Sequence, residues 1–196
     1  MTESSVQLIA AATKRAAPTA GTPIVVGDDR VRLLRDGAEA YPAMLAAIGA
    51  ARREIVLEMY WFGSDAVGRI FVDALAARAR DGVTVRVIFD AIGSTPIDQD
   101  MFDELRAAGA DVRAFHPLLT ILRAAVPRWI RRDHRKLMVC DDEVGFTGGL
   151  NIGRPWAPRE TGGEGWRDDM VEVIGPGARE LRSVFYETWR RVLLRK

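Results

Sequence analysis

The sequence lacks three features that would place it in a specialised class of protein. Cys140 is the single cysteine among 196 residues, so an intrachain disulfide is excluded and a reducing compartment is favoured. No uninterrupted apolar run approaches the roughly 20 residues that a membrane-spanning helix needs. The formal net charge is only +1, which excludes a strong overall positive field for holding nucleic acid. Any argument for an anionic partner must therefore rest on where the positive charges lie in the sequence, not on their total.

The amino terminus also lacks the pattern of a secretory signal. Residues 1–5 are acidic rather than basic, and the apolar stretch 6–12 is interrupted by Gln7. We therefore expect a cytoplasmic protein. Peripheral contact with the inner face of the cell membrane is compatible with this expectation. Turn-prone residues 18–23 indicate an N-terminal extension or linker over residues 1–22, followed by a single domain over residues 23–196.

What the sequence does contain is a regular alternation of apolar patterns. Short runs typical of buried strands alternate with segments whose apolar residues recur at helical spacing. This rhythm predicts an α/β fold, a sandwich with helices on both faces of a mixed, largely parallel sheet. Strands are predicted at residues 31–34, 54–62, 83–89, 111–115, 135–140, 144–147 and 170–174, and a final helix follows the last of them.

His134 and Lys136 lie two residues apart at the start of the strand predicted at residues 135–140. On a strand such side chains project from the same face, about 6–7 Å apart along the chain. A nucleophile or base beside a cation suits a phosphate diester, because the cation attracts the anion and stabilises the charge added in the transition state. An isolated His-x-Lys is more often an exposed strand pair, so the residues that follow decide the interpretation.

Four further residues follow this pair at set intervals. Gly148 and Gly149 have no Cβ, so the backbone there can approach a ligand or another strand. Asn151 can offer amide donors to a phosphate oxygen. Asp141 is expected in the turn between two strands, where it fixes that turn or pairs with a nearby cation and does not touch substrate.

The complete pattern, His-x-Lys-x4-Asp-x6-Gly-Gly-x-Asn from His134 to Asn151, resembles the signature of the phospholipase D superfamily at every defining position. Its surroundings are similar to the bacterial cardiolipin synthase branch, and the similarity corresponds to the N-terminal half of such a synthase. It runs from about residue 23 to the last helix and implies a phospholipase-D-like α/β/α sandwich. The segments that carry the branch similarity are residues 33–37, 57–60, 82–87, 146–153 and 166–168.

The resemblance implies a two-step mechanism. One histidine attacks phosphorus to form a phosphohistidine, a second histidine protonates the leaving group, and an acceptor then displaces the enzyme. The family also has an acidic residue after the motif that orients the histidine, and the following strand places it at Asp168, with Asp169 as the alternative. No cofactor is expected, and the sequence has no metal-ligand spacing. The candidate catalytic residues are His134, Lys136, Asp141, Asn151 and Asp168.

One departure from the family pattern decides the expected assembly. Members of this branch hold two motifs in one chain, and the active site forms between the two halves. Here one motif is present, and the only other histidine, His116, has no lysine two places on. Either two identical chains pair so that each supplies a His134, or a second motif-bearing half completes the site. His116 itself is expected to be structural or a wall of the substrate channel.

Candidate substrate-binding groups surround the motif. Arg131 and Arg132 belong to segment 118–132, in which apolar residues, Trp129 and cations are interleaved. That composition suits the headgroup boundary of an anionic membrane, and packing on a second half is an alternative of equal weight. Glu58 either reaches the site from its strand or pairs with a nearby arginine. The full set of candidates is Gly148, Gly149, Arg131, Arg132 and Glu58.

Three functions follow, in order of preference. The first is phosphodiester transfer or hydrolysis on anionic glycerophospholipids, by a membrane-associated phosphatidyltransferase or phospholipase D. The second keeps the chemistry but acts on nucleic acid, as a homodimeric single-motif nuclease, which the low net charge disfavours. The third is a catalytically silent half-protein that docks on a membrane or a partner.

Overall fold

The computed structural model describes residues 21–94, 99–116 and 132–194. The strands in these ranges are β1 (Ile24–Val26), β2 (Asp29–Arg35), β3 (Glu54–Met59), β4 (Thr84–Asp90), β5 (Asp111–Phe115), β6 (Leu137–Cys140), β7 (Val144–Gly148) and β8 (Asp169–Ile174). The α-helices are α1 (Asp36–Ala50), α2 (Ala66–Arg80), α3 (Gln99–Ala107) and α4 (Gly177–Leu193), and short 3-10 turns span Arg154–Trp156 and Arg159–Thr161. None of these helices is long and apolar enough to cross a membrane.

The strands form one mixed sheet in the order β1-β2-β8-β7-β6-β3-β4-β5, which confirms the expected α/β class. Among the described strands, parallel pairing is limited to β3-β4 and β4-β5, where a helix carries the chain back across the sheet between the two neighbours. The remaining pairs are antiparallel. The sheet is mixed as expected: β2, β3, β4, β5 and β7 run in the same direction, although most neighbouring pairs are antiparallel.

Helices cover both faces of the sheet. Helices α1, α2 and α3 lie on one face over the larger core, which includes Tyr41, Phe71 and Phe102. Helix α4 covers the other face, where Phe185 and Trp189 pack on apolar residues of β3, β4 and β6. Successive residues of a strand face opposite layers, so both faces of the central strands are buried. A ligand can therefore reach the central sheet only at an edge where the strands end.

One such edge lies beside His134 and Lys136, which immediately precede β6. The pairings place the carboxyl ends of β3, β4, β5 and β7 at this edge, together with the amino ends of β6 and β8. Open α/β sheets bind ligands outside the carboxyl ends of their strands. The segments that leave or enter the strands here are where the site is built.

Candidate active site

The segment that carries His134 is fixed by buried carboxylates before it enters β6. Asp90, at the end of β4 and fully buried, accepts a hydrogen bond from the Asp133 amide at 3.1 Å and pairs with Arg132 at 3.2 Å. Asp133 Oδ1 in turn accepts from the Arg135 amide at 3.2 Å. That bond closes a turn around His134, because a carboxylate that bonds the amide two residues on mimics a backbone turn. Arg132, predicted to bind substrate, is thus engaged with Asp90.

His134 and Lys136 are brought together at the sheet edge. The Lys136 Nζ donates to the His134 carbonyl at 2.7 Å, and both side chains contact Tyr60. The Tyr60 ring stacks on the imidazole with centroids 4.0 Å apart and planes 15° apart, while Lys136 Nζ lies 5.2 Å from the same ring centroid. The imidazole stays exposed, whereas Lys136 is buried. The pair therefore offers an accessible nucleophile or base beside a shielded cation.

Burial changes the proton affinity of the lysine. It lowers the pKa of Lys136 below its ordinary value, and the nearby carboxylates of Asp168 and Asp133 act in the opposite direction. A shielded ammonium group attracts a bound anion more strongly than an exposed one does, because water screens it less, and the carboxylates of Asp168 and Asp133 favour its charged form. The arrangement suits an oxyanion stabiliser.

Asp168 is the acidic residue that the structure places beside the motif. Its backbone carbonyl accepts from the Asp36 amide at 2.7 Å, and its carboxylate Oδ1 accepts from the Asp169 amide at 2.9 Å. Asp169, the alternative in the sequence, forms an ion pair with Arg167. Of the two aspartates, only Asp168 acts on the Lys136 pKa, so the geometry favours Asp168 for a role in the site.

The two motif glycines allow β7 and the start of β8 to come together. A Cβ at Gly149 would lie 2.1 Å from Asp168 Oδ1, and one at Gly148 would lie 2.3 Å from the Asp169 carbonyl oxygen. Any larger residue would push β8 away. The two glycines thus let the segment that carries Asp168 pack closely against β7, and this packing brings the Asp168 carboxylate into the site.

Asn151 lies at the same edge, after β7. It is buried, its Oδ1 accepts from the Trp61 amide at 3.1 Å, and its carbonyl accepts from the Tyr41 hydroxyl at 2.8 Å. Because the amide oxygen is engaged with Trp61, the amide nitrogen is the donor left for a ligand. The structure thus brings Asn151 to the edge that holds His134, Lys136 and Asp168.

Asp141 lies at the opposite end of β6, away from the pair. Its carboxylate accepts from the amides of Arg52, Arg53 and Glu54 at 2.7–2.9 Å, which ties the β6–β7 turn to the start of β3. Burial by itself would raise the pKa of Asp141, but these amides outweigh it and the pKa is lowered. This position fits a residue that fixes the turn.

Glu58 is not at the surface of the site. It lies in β3 on the face covered by α4, and only 1% of it is exposed. Arg135 is its nearest cation, with Nε 3.7 Å from Glu58 Oε1. Direct contact with a substrate is therefore excluded in this conformation, and the second expectation, a pair with an arginine, describes its surroundings better.

His116 and the basic segment complete the account of the candidates. His116 follows β5 at the same edge, is buried, and stacks on Phe115 with centroids 4.2 Å apart. Arg131 and the rest of segment 117–131 lie outside the described residues.

Sequence reasoning missed Tyr60, Asp90 and Asp133. Each stands where a strand ends or where the motif begins, and this position was the available signal. No local spacing connects them, because they meet only when β3, β4 and β6 are placed side by side.

The fold and the site together define a phospholipase-D-like domain. The crystal structure of a phospholipase D family member, Nuc from Salmonella typhimurium, matches this chain with a TM-score of 0.63 at 18% identity. The match covers 83% of this chain and 95% of that chain, and it supports the fold.

The family follows from the sequence comparison. Residues 44–160, more than half of the chain, match the family described as cardiolipin synthase, PLD-like domain, and the chain belongs to that family. Cardiolipin synthase 1 of Bacillus anthracis is 33% identical over 81% of this chain, and cardiolipin synthase of Alkalihalophilus pseudofirmus is 36% identical over 81%. In both cases the match spans 31% of the relative, so the chain corresponds to about a third of these relatives' length.

Proposed function

We propose that this domain cleaves or transfers phosphodiesters of anionic glycerophospholipids through a covalent histidine intermediate. The observation that carries the proposal is the exposed imidazole of His134 beside the buried ammonium of Lys136, both in contact with Tyr60 at the carboxyl edge of the sheet. Membership of the cardiolipin synthase family supports a phosphatidyl group as the part transferred.

In the proposed first step, an imidazole nitrogen of His134 attacks phosphorus as the bond from phosphorus to the leaving oxygen breaks. A proton from a second imidazole passes to that oxygen, so the leaving group departs as an alcohol. Lys136 and the Asn151 amide stabilise the charge on the non-bridging oxygens. In the second step the other imidazole removes a proton from water or an alcohol, which attacks phosphorus and frees His134.

Asp168 has a supporting role in this proposal. Its carboxylate acts on the Lys136 ammonium and favours the charged form, against the effect of burial. Family resemblance adds orientation of the imidazole through its other ring nitrogen. Both effects prepare the site before substrate arrives, so no reorganisation is needed during the reaction.

The second imidazole comes from outside the described site. Either a second copy of this chain supplies its own His134, or a second motif-bearing half does. The size of the relatives, about three times the matched region, supports the second half, and the fit to 95% of the Nuc chain supports a unit of this size.

Peripheral contact with an anionic membrane belongs to the same proposal. Trp166 is 52% exposed and packs edge-to-face on Trp156, which packs in the same way on Trp61 next to Tyr60. An exposed tryptophan beside the site suits the headgroup boundary, where an aromatic ring with a polar N–H is favoured.

The test is turnover of phosphatidylglycerol in mixed vesicles by the protein and its variants. His134→Ala should abolish turnover and the acid-labile phosphatidyl-histidine adduct while leaving the circular dichroism spectrum unchanged. Lys136→Met should reduce the rate on the order of a hundredfold, as loss of an oxyanion stabiliser does. His116→Asn is the matched control and should keep the phosphatidyl-histidine adduct. Turnover by the His134→Ala protein would refute the mechanism, and steeply salt-dependent cleavage of DNA would favour the nuclease.

A further inference from the structure

Two buried carboxyl groups face each other directly behind the motif. Both oxygens of Glu58, Oδ2 of Asp133 and the hydroxyl of Thr188 are buried without hydrogen-bond partners within the described residues. Asp133 comes from the segment before β6, Glu58 from β3 and Thr188 from α4. Four unpartnered polar atoms in one place are costly, because each loses its bonds to water.

The charges in this cluster do not balance if both acids are ionised. Arg135 is the cation that faces them, with Nε 3.2 Å from Asp133 Oδ1 and 3.7 Å from Glu58 Oε1. The groups that act on Glu58 are Asp133 and Arg135 from the β6 side and the uncharged Thr188 from α4. Two carboxylates with one guanidinium would leave a net negative charge buried under the sheet. A proton on one carboxyl removes that charge and supplies a donor at the same time.

The proton belongs on Glu58. Burial, followed by the neighbouring Asp133, raises the pKa of Glu58 to about 9, while Arg135 and the Thr188 hydroxyl act in the opposite direction. Asp133 instead accepts two bonds from Arg135, one from its amide and one from its guanidinium, which suit a carboxylate. With the proton on Glu58, its O–H can donate to Asp133 Oδ2, and the Thr188 hydroxyl can donate to Glu58.

Asp133 links Glu58 to the turn that carries His134. Its Oδ1 closes the turn whose central residue is His134, and its amide is held by Asp90. The direction of the imidazole therefore depends on the direction of the Asp133 carboxylate. A shift of about 1 Å in a reacting group can cost on the order of a hundredfold in rate.

We infer that Glu58 is a positioning residue, whose carboxylic acid proton holds Asp133 and thereby fixes the turn that presents His134. The inference rests on the proposed function for its effect on rate, but its effect on the His134 ring does not.

The test compares three variants of the intact protein. Glu58→Leu removes the donor and should lower kcat on the order of a hundredfold with little change in KM. Glu58→Gln keeps a donor, its amide, and should recover most of that loss. Glu54→Gln is the matched control: Glu54 lies on the same strand face but bonds Arg86, Arg182 and Tyr186 at the far end of the sheet. It should leave kcat unchanged.

Nuclear magnetic resonance of the two histidines gives a readout that is independent of turnover. The imidazole ring signals of His134, assigned with the His134→Ala protein, should move in Glu58→Leu and stay unchanged in Glu54→Gln. The inference is overturned if Glu58→Leu keeps both the wild-type His134 ring signals and the wild-type rate, or if Glu58→Gln is as impaired as Glu58→Leu. A protein without turnover would defeat the proposed function, and the ring signals would still decide the role of Glu58.

The pH profile decides the question if Glu58→Leu does not fold. The wild-type rate should show a loss near pH 9, as the Glu58 proton is released, and Glu58→Gln should lack that loss. Titration of Lys136 is common to both proteins and cancels in the comparison. Identical alkaline limbs for the two proteins would overturn the inference.

Discussion

At the scale of single residues, the site depends on close packing around its glycines as much as on charges. The Asp168 carboxylate fills the space beside Gly149, with its Oδ1 2.1 Å from the position that a Cβ would take. His134, Lys136 and Asn151 are then arranged around the same edge by contacts with Tyr60 and Trp61. One methyl group at Gly149 should therefore be enough to displace the carboxylate of Asp168, which is distant in sequence.

We expect Gly149→Ala to reduce turnover at least as strongly as Asp168→Ala. The added Cβ would lie 2.1 Å from Asp168 Oδ1 and 2.7 Å from its carboxyl carbon, so the carboxylate must leave its place. The matched control is Gly49→Ala in α1, where a Cβ meets nothing within 4 Å. That change should raise the free energy of unfolding by about 0.5–1 kcal/mol and leave the rate unchanged, because alanine is the better helix former. Initial rates and urea unfolding measure both, and a fully active Gly149→Ala protein would contradict the assignment of Asp168.

The residues of the motif could be predicted from the sequence because the chemistry is encoded at short, regular spacing. His134 and Lys136 are two residues apart immediately before β6, and the turn, the glycines and the amide follow with β7. Tyr60 and Asp133 could not be predicted in the same way. Their roles arise from strand order, since β3 and β6 are far apart in sequence, with β4 and β5 among the described elements between them, but are neighbours in the sheet.

At the scale of secondary structure elements, the apolar pattern predicted most strands and the final helix, and it missed two details. Asp36 adopts a positive φ of 45° and starts α1 directly at the end of β2, so Pro42 lies inside the helix. Strand β1 was not predicted: its three residues are exposed and pair only with β2, so they have no buried face to give a periodic pattern. The sequence thus predicts elements that bury apolar residues better than those at the rim.

The turn between β6 and β7 gives a prediction about stability. Asp141→Ala should lower the free energy of unfolding by about 2 kcal/mol, because three amides at the start of β3 lose a charged acceptor. The pKa of Asp141 is lowered in the folded protein, so its contribution is present above its unfolded pKa and is lost as the pH falls through the folded pKa.

Urea unfolding at neutral pH and at pH 3 measures this contribution. Asp141→Ala should unfold more easily at neutral pH, and its disadvantage should shrink at pH 3. Asp141→Asn, which keeps one acceptor oxygen without the charge, should lie between the two proteins at neutral pH. If Asp141→Ala loses turnover in proportion to Lys136→Met while remaining as stable as the wild type, Asp141 has a direct role in the chemistry and not in the turn.

At the scale of the whole molecule, the described chain presents one imidazole and one ammonium at an open sheet edge. Helices in the described part of the chain cover both faces of the sheet, so a surface that completes the site is expected at this edge. His116, the other histidine, is buried against Phe115 and has no cation at motif spacing. The proposed two-histidine mechanism therefore makes a quantitative statement about association.

A mixing experiment separates the two possible sources of the second histidine. If two copies of this chain form the site, a site with one His134→Ala chain lacks one of its two imidazoles and is inactive. Equal amounts of wild-type and His134→Ala protein, refolded together, should then retain about one quarter of the rate of wild type at the same total concentration, since random pairing gives that share of intact pairs. A chain that works alone would retain about half. If a separate motif-bearing half is required, wild-type protein alone is inactive and gains turnover only when that half is added, and its sedimentation as a monomer would agree with that result.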